Sequence, residues 1–338
     1  MLHQRIAPHA ADWPAGHVVA KDFEIVALAG RGSFSTVYEA VQLSRQRRRV
    51  ALKVLHAGIQ HELERRADGV IENPYLREQA LIQRLSSPVV CRVHRVGLHE
   101  GRYFAAIEWA DGHTLDRVIA DKKGHVRLTF AADVIHQLGE ALAEMHRNQV
   151  VHRDLKPSNV MVSERRGQVA VRLFDFGIAK LAGEADGLVG SGTLLVGTPA
   201  YMAPEQANQR VTDPRSDIFS FAAVSYELLT GQRHIQSPGA ARGADIFLDY
   251  LKTDAPIPTH PATTLRPDLP EDVDDVLASA LSRDRHRRPS TVERFCDDLE
   301  IVLRAAAPPA RRRGFLGRAL GALRPAPKEL PKLPPPGS

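Results

Sequence analysis

His152-Arg153-Asp154-Leu155-Lys156-Pro157-Ser158-Asn159 is the stretch on which the fold of this 338-residue chain turns. Eight residues bring a carboxylate, an ammonium and an amide to a proline-bearing turn, directly after the apolar pair Val150-Val151. A polar surface turn has a similar composition, so the meaning of the string rests on its flanks. Upstream, Ile135, Leu138, Leu142 and Met145 recur at helical spacing within 130–148, one face of an amphipathic helix. Downstream, 160–162 and 169–174 read as two short strands around Glu164-Arg165-Arg166-Gly167, and Asp175-Phe176-Gly177 follows the second. Further helical runs occupy 217–230, 272–282 and 291–305.

The third of the chain before Asp111-Gly112 has a different period. Residues 23–28 and 36–41 read as strands joined through Ala29-Gly30-Arg31-Gly32-Ser33, a hairpin with glycines at its tip. A third strand, 49–55, contains Lys53 among apolar neighbours, where an ammonium needs a buried partner. Residues 76–85 favour helix by composition and stop at Pro88; two more strand-like runs follow at 91–96 and 103–107.

Composition is that of an ordinary globular protein, with 43% hydrophobic and 25% charged residues. No apolar run approaches the length of a membrane span, the N-terminus lacks the pattern of a secretory signal, and there are only two cysteines, so a cytoplasmic setting is expected. The net charge of +5 is concentrated beyond residue 310, where seven basic residues face one acid. The near-neutral remainder argues against nucleic-acid binding, which spreads positive charge over a folded face.

Taken in order, these strings resemble the signature of eukaryotic-like serine/threonine protein kinases, in the wording common among bacterial members. The resemblance covers about residues 22 to 305. It implies an α+β, bilobal protein-kinase fold with a five-stranded antiparallel sheet and one helix in an N-lobe (22–107), a hinge (108–111) and a mainly helical C-lobe (112–305). Residues 1–21 then form a leader of little structure and 306–338 a basic, proline-rich tail. ATP is the implied phosphate donor, with Mg²⁺, or Mn²⁺ in its place.

Gly30-Arg31-Gly32-Ser33-Phe34-Ser35-Thr36-Val37 is similar to the glycine-rich loop whose amides cover the ATP phosphates. Val50-Ala51-Leu52-Lys53 is similar to the strand whose lysine meets the α- and β-phosphates. Glu78, ten residues before Pro88, has the spacing of the helix glutamate that pairs with this lysine, with Glu62, Glu64 and Glu72 as alternatives. The resemblance makes Asp154 the catalytic aspartate, Lys156 a neutraliser of the transferring phosphoryl group, and Asn159 and Asp175 the metal ligands. A lysine two residues after the aspartate is the serine/threonine form of this loop. Ile107 is the implied gatekeeper, Glu108-Trp109-Ala110 the hinge contact, and Val37, Ala51 and Met161 the apolar sandwich around adenine.

Gly197-Thr198-Pro199-Ala200-Tyr201-Met202-Ala203-Pro204-Glu205-Gln206 resembles the end of the activation loop, which assigns Thr198 to Asp154 and Lys156 and pairs Glu205 with Arg288. Asp217 resembles the helix-start aspartate that braces the catalytic loop. Arg153 resembles the receiver of an activation-loop phosphate, for which Ser191 and Thr193 are the candidate acceptors, with self-association as a route to autophosphorylation. Departures from the pattern are Ser35 for the third glycine, Ala222 for a helix glycine and a slightly long insertion before Glu78. Residues 311–323 read either as a basic amphipathic helix for membrane-surface or partner docking or as part of a disordered tail. The expected partners are protein substrates with Ser/Thr acceptors. A pseudokinase scaffold and a small-molecule kinase are the rival readings, the first opposed by Lys53, Asp154, Asn159 and Asp175, the second by Ala203-Pro204-Glu205.

Overall fold

Strand alternation in the first third of the chain generates a sheet with two unlike faces. The computed structural model describes residues 12–32, 35–57, 79–123, 125–175, 199–207, 212–235 and 260–306. Strands β1 (Val18–Val19), β2 (Phe23–Arg31), β3 (Ser35–Gln42), β4 (Arg48–Leu55), β5 (Val93–His99) and β6 (Arg102–Glu108) form an antiparallel sheet in the order β1-β2-β3-β4-β6-β5. Phe23, Ile25, Tyr38, Ala40, Val50, Leu52, Val54, Phe104 and Ala106 are buried together on one face. The alternate positions Val37, Ala51, Lys53 and Ile107 are half-buried and share the other.

The six strands exceed the five expected by β1, and the difference has a physical cause. Trp13 and Val19 join the apolar cluster, covering a face that would otherwise be wet. The Trp13 N–H donates to the Tyr38 hydroxyl at 3.1 Å, and Val18–Val19 pair with Phe23 and Glu24. Residues 12–21, read from sequence as part of a leader of little structure, are therefore part of the folded unit. Of the expected helix at 76–85, residues 79–82 are helical and Gln83 N–H bonds to the Gln79 carbonyl at 3.0 Å; residues 76–78 lie outside the described set.

After β6 a second, three-stranded sheet forms from β7 (His113–Thr114), β8 (Val160–Arg165) and β9 (Gln168–Leu173). Gly112, with φ +133°, precedes it, and a Cβ there would run into the Val162 carbonyl group. The helical layer comprises α1 (Leu115–Lys122), α2 (Leu128–Arg147), α3 (Pro204–Ala207), α4 (Pro214–Thr230), α5 (Ala262–Leu265), α6 (Asp272–Ala280) and α7 (Val292–Ala306). In α2 the expected face of Ile135, Leu138, Leu142 and Met145 is fully buried. Helix α4 is buried nearly all round, so it forms the centre of this layer rather than its surface. Among the described residues no helix is long and apolar enough to cross a membrane. The chain divides into two units, Met1–Ala306 and Ala307–Ser338, and every described residue belongs to the first.

Helices α2 and α7 pack closely at Gly139, where an added Cβ would stand 2.7 Å from the Cys296 Cβ. Gly139→Ala, a change that stabilises exposed helices by about 1 kcal/mol, is expected here to cost about 1–3 kcal/mol. Chemical denaturation of the two proteins measures the sign.

Candidate active site

The turn that follows α2 is held by a carboxylate from another helix. Asp213 caps α4 by accepting from the Arg215 N–H at 2.8 Å, Pro214 opens the helix, and Asp217 lies in its first turn with no exposed surface. The Asp217 oxygens accept the N–H of His152 at 2.8 Å, the N–H of Arg153 at 2.9 Å and the His146 Nε2–H at 2.8 Å. Arg153 is left-handed at φ +64°, a conformation that costs a non-glycine residue about 1–2 kcal/mol. The bonds to Asp217 hold it there. Burial acts to raise the Asp217 pKa, but the hydrogen bonds from His146 and the His152 backbone outweigh it and keep the carboxyl below its ordinary range.

On this frame the polar side chains converge. Lys156 Nζ donates to Asp154 Oδ2 at 2.7 Å. Asn159 is nearly fully buried; its Nδ2 donates to the Asp154 carbonyl at 2.8 Å, to Asp154 Oδ2 at 3.2 Å and to the Asp175 carbonyl at 3.2 Å. Asp175, left-handed at φ +62°, turns its carboxylate onto the Lys53 ammonium of β4. Lys53 thus meets its counter-charge across the cleft. Glu78, the partner expected from sequence, lies outside the described residues, as do Glu62, Glu64 and Glu72.

The strand register places Val37 beside Lys53 and Ala51 beside Ile107 on the half-buried face above this cluster, and Met161 pairs with Thr114 in the smaller sheet. The segment joining the sheets is clamped on its outer side. Arg172 Nε is 3.5 Å from Glu108 Oε1, Arg49 stacks 4.1 Å above the Trp109 ring, and Arg49 also reaches Asp111 at 3.3 Å. Ala110 is half-buried between them in sequence. At the glycine-bearing tip the Gly32 N–H closes the turn on the Ser35 carbonyl at 2.8 Å, while Arg31 pairs with Asp12. Gly30 pairs with Val37 in the hairpin, and Ser33 and Phe34 lie outside the described residues.

A second buried carboxylate, Glu205, is met by Arg288 through two parallel bonds, Nη1 to Oε1 at 2.7 Å and Nη2 to Oε2 at 2.8 Å. The Ser216 hydroxyl adds a third at 2.7 Å. Burial acts to raise the Glu205 pKa; the Arg288 bonds prevail and lower it. Ser191, Thr193 and Thr198 lie outside the described residues.

Residues 23–299 match the protein kinase domain family. The chain belongs to that family. A serine/threonine-protein kinase of Myxococcus xanthus, pkn2, is 32% identical over 289 residues, which cover 85% of this chain and 33% of pkn2. The serine/threonine-protein kinase PknA of Mycobacterium tuberculosis is 31% identical over 299 residues, 87% of this chain and 64% of PknA. The chain thus spans a third to somewhat under two thirds of these relatives. Among solved structures, the Mycobacterium tuberculosis PknI kinase domain aligns with a TM-score of 0.65 at 23% identity, covering 86% of this chain and 99% of PknI. PpkA-294 in its apo form aligns with a TM-score of 0.67 at 20% identity, over 86% of this chain and all of that one. Both are likenesses of fold.

Three residues of the kinase domain's polar framework escaped the sequence reading. His146 completes the Asp217 cluster; it sits at the end of an amphipathic helix, where a polar residue is unremarkable. Gln206 donates from Nε2 to the Arg153 carbonyl at 3.0 Å and accepts from the Ala203 N–H at 3.0 Å. Its place directly after Glu205 was the available signal. Tyr201 donates its hydroxyl to Glu227, a contact between distant segments with no local pattern.

Because the Asp217 and Glu205 carboxyls lie below their ordinary values of 3.8 and 4.5, the unfolded chain binds more protons at mildly acid pH than the folded one. Their contribution to stability is present above those ordinary values and is lost as pH falls through the folded ones. Asp217→Asn is expected to lower stability at neutral pH and flatten the acid limb of a melting-temperature profile. Glu205→Gln, which leaves Arg288 buried without its counter-charge, is expected to cost about 3–5 kcal/mol in equilibrium denaturation.

Proposed function

We propose that this chain is a serine/threonine protein kinase that transfers the ATP γ-phosphoryl group to protein hydroxyls. The observation that carries the proposal is the continuous polar chain from Lys156 through Asp154 and Asn159 to Asp175 and Lys53. All five are types that phosphoryl transfer requires, which is positioning and charge neutralisation more than covalent chemistry.

In this reading the acceptor oxygen bonds to the γ-phosphorus, the bond from phosphorus to the β–γ bridging oxygen breaks, and ADP leaves with that electron pair. Asp154 orients the hydroxyl and takes its proton. Lys156, held against Asp154, offsets charge on the transferring group, and its position two residues on selects serine or threonine as acceptor. Lys53 holds the α- and β-phosphates once it exchanges Asp175 for them. Amides around Gly30 and Gly32 cover the phosphates, the backbone of Glu108 and Ala110 bonds adenine, and Val37, Ala51 and Met161 sandwich the ring, with Ile107 behind it.

Asn159 and Asp175 fit a hard divalent cation. The Asn159 N–H groups are committed to Asp154 and Asp175, so the amide turns its oxygen outward as an acceptor. Mg²⁺, or Mn²⁺, bound there supplies neutralisation of the phosphate oxygens. We assign the catalytic unit to residues 22–305, followed by the basic tail, and read Arg153 as the receiver of a phosphate on Ser191 or Thr193.

Radiolabelled ATP with a generic protein substrate tests the proposal. The parent chain is expected to label serine and threonine, with Lys53→Met, Asp154→Asn and Asp175→Ala each reducing labelling by at least about 100-fold. Absence of labelling by the parent with either Mg²⁺ or Mn²⁺ overturns the reading in favour of a scaffold. Labelling that persists in all three variants assigns the activity to a contaminant.

A further inference from the structure

Two imidazoles and a carboxylate meet on the sheet well away from the five-residue cleft cluster. His17 Nε2 and His99 Nε2 are 3.3 Å apart, His17 Nε2 is 3.8 Å from Glu100 Oε2, and His99 Nε2 is 3.8 Å from Glu100 Oε1. We propose that His17, His99 and Glu100 form a Zn²⁺ site that fastens the N-terminal segment to the β5–β6 hairpin.

The spacing is the first support. Donors about 2.0–2.1 Å from a tetrahedral zinc stand about 3.3–3.4 Å from one another, which is the separation of the two imidazole nitrogens. The exposed Glu100 carboxylate stands with an oxygen 3.8 Å from each of these nitrogens, and all three donor groups lie within 4.8 Å of one another. Two imidazoles with one carboxylate are a donor set that zinc accepts, leaving a fourth position open to water. Mg²⁺, which prefers oxygen, is poorly served by two nitrogens.

The second support is how firmly the donors are held. His17 N–H bonds to the Pro14 carbonyl at 3.1 Å, and its own carbonyl accepts the Ile25 N–H at 2.9 Å. His99 ends β5 in register with Arg102, and the turn between them is the two-residue pair Glu100-Gly101, left-handed at φ +48° and +71°. Trp13 supplies an outer layer. Its ring lies 5.2 Å from that of His17 in a stacked arrangement and 5.5 Å from that of His99, and its Nε1–H donates to Glu100 Oε2 at 3.0 Å. Such bonds orient a ligating carboxylate.

Without metal, one imidazole donates its Nε2–H to the other. Coordination requires both Nε2 atoms bare, so that proton moves to Nδ1 of the same ring. No thiol competes for the ion: Cys91 and Cys296 are buried, and burial pushes both up to about 12. The ion would also reach beyond its own ligands. Asp12, one residue before Trp13, pairs with Arg31 beside the glycine-bearing tip, so the fastened segment runs from the metal to that tip.

Thermal melting of the full chain with added ZnCl₂ tests the site. The parent is expected to melt progressively higher as Zn²⁺ rises and to show no comparable shift with MgCl₂. In His17→Gln/His99→Gln the Zn²⁺ shift is expected to vanish. If that variant fails to fold, Glu100→Gln, at an exposed side chain, is expected to require at least about 10-fold more Zn²⁺ for the same shift. Trp109→Phe leaves Trp13 as the only tryptophan, and Co²⁺ is then expected to quench its emission saturably at one equivalent. A Zn²⁺ shift undiminished in the ligand variants, or quenching that never saturates, overturns the proposal.

Discussion

Asp217 receives two consecutive main-chain N–H groups and an imidazole, and the geometry around Asp154 descends from that meeting. A carboxylate with no exposed surface is costly unless its oxygens are satisfied. Here the donors that satisfy it are the backbone of the turn it supports, so the need runs both ways. Asp217 cannot remain charged without His152 and Arg153 in place, and Arg153 cannot remain left-handed without Asp217. The position of Asp154 is inherited from α4, which is locked by aromatic contacts such as Phe221 against Phe295, with centroids 5.3 Å apart.

The residue before Asp217 serves a second tie. Ser216 donates to Glu205, which is also clamped by Arg288, and Gln206 next to it donates to the Arg153 carbonyl. Two adjacent residues of α4 therefore govern two distant segments, one before the undescribed stretch 176–198 and one after it. This makes the first turn of α4 the shared reference for the proposed catalytic loop and for the segment that ends the proposed activation loop.

Much of this was legible before any coordinates. Residues 36–41 and 49–55 read as strands, and they are strands whose residues alternate in burial: Tyr38, Ala40, Val50 and Leu52 are fully buried while Val37, Ala51 and Lys53 are not. The apolar face of α2 followed from its spacing. Less was legible where a residue's role depends on something far away in sequence. Trp13 sits in a segment with no periodicity, and only the distant Tyr38 and Phe104 reveal that it belongs to a core. The ammonium of Lys53 plainly required a counter-charge, but apolar flanks state the need without naming which carboxylate answers it. Asp175 was already assigned another role, and its meeting with Lys53 depends on how the two sheets face one another.

The order of the main sheet also bears on how the domain behaves in a crowded solution. A sheet edge exposes unpaired N–H and C=O groups that can recruit a strand from another molecule. At one edge of the described sheet stands β1, two residues long, too short to template a stable addition. At the other stands β5, whose pairing slips register between Val93 and Arg95 and whose sequence carries His94, Arg95 and His99. The small extra strand that turns five into six thus blunts one end of the sheet, and an irregular strand carrying Arg95 blunts the other. The fold's open edges are guarded by brevity on one side and by a register slip beside Arg95 on the other, which favours a sheet that stays within its own chain.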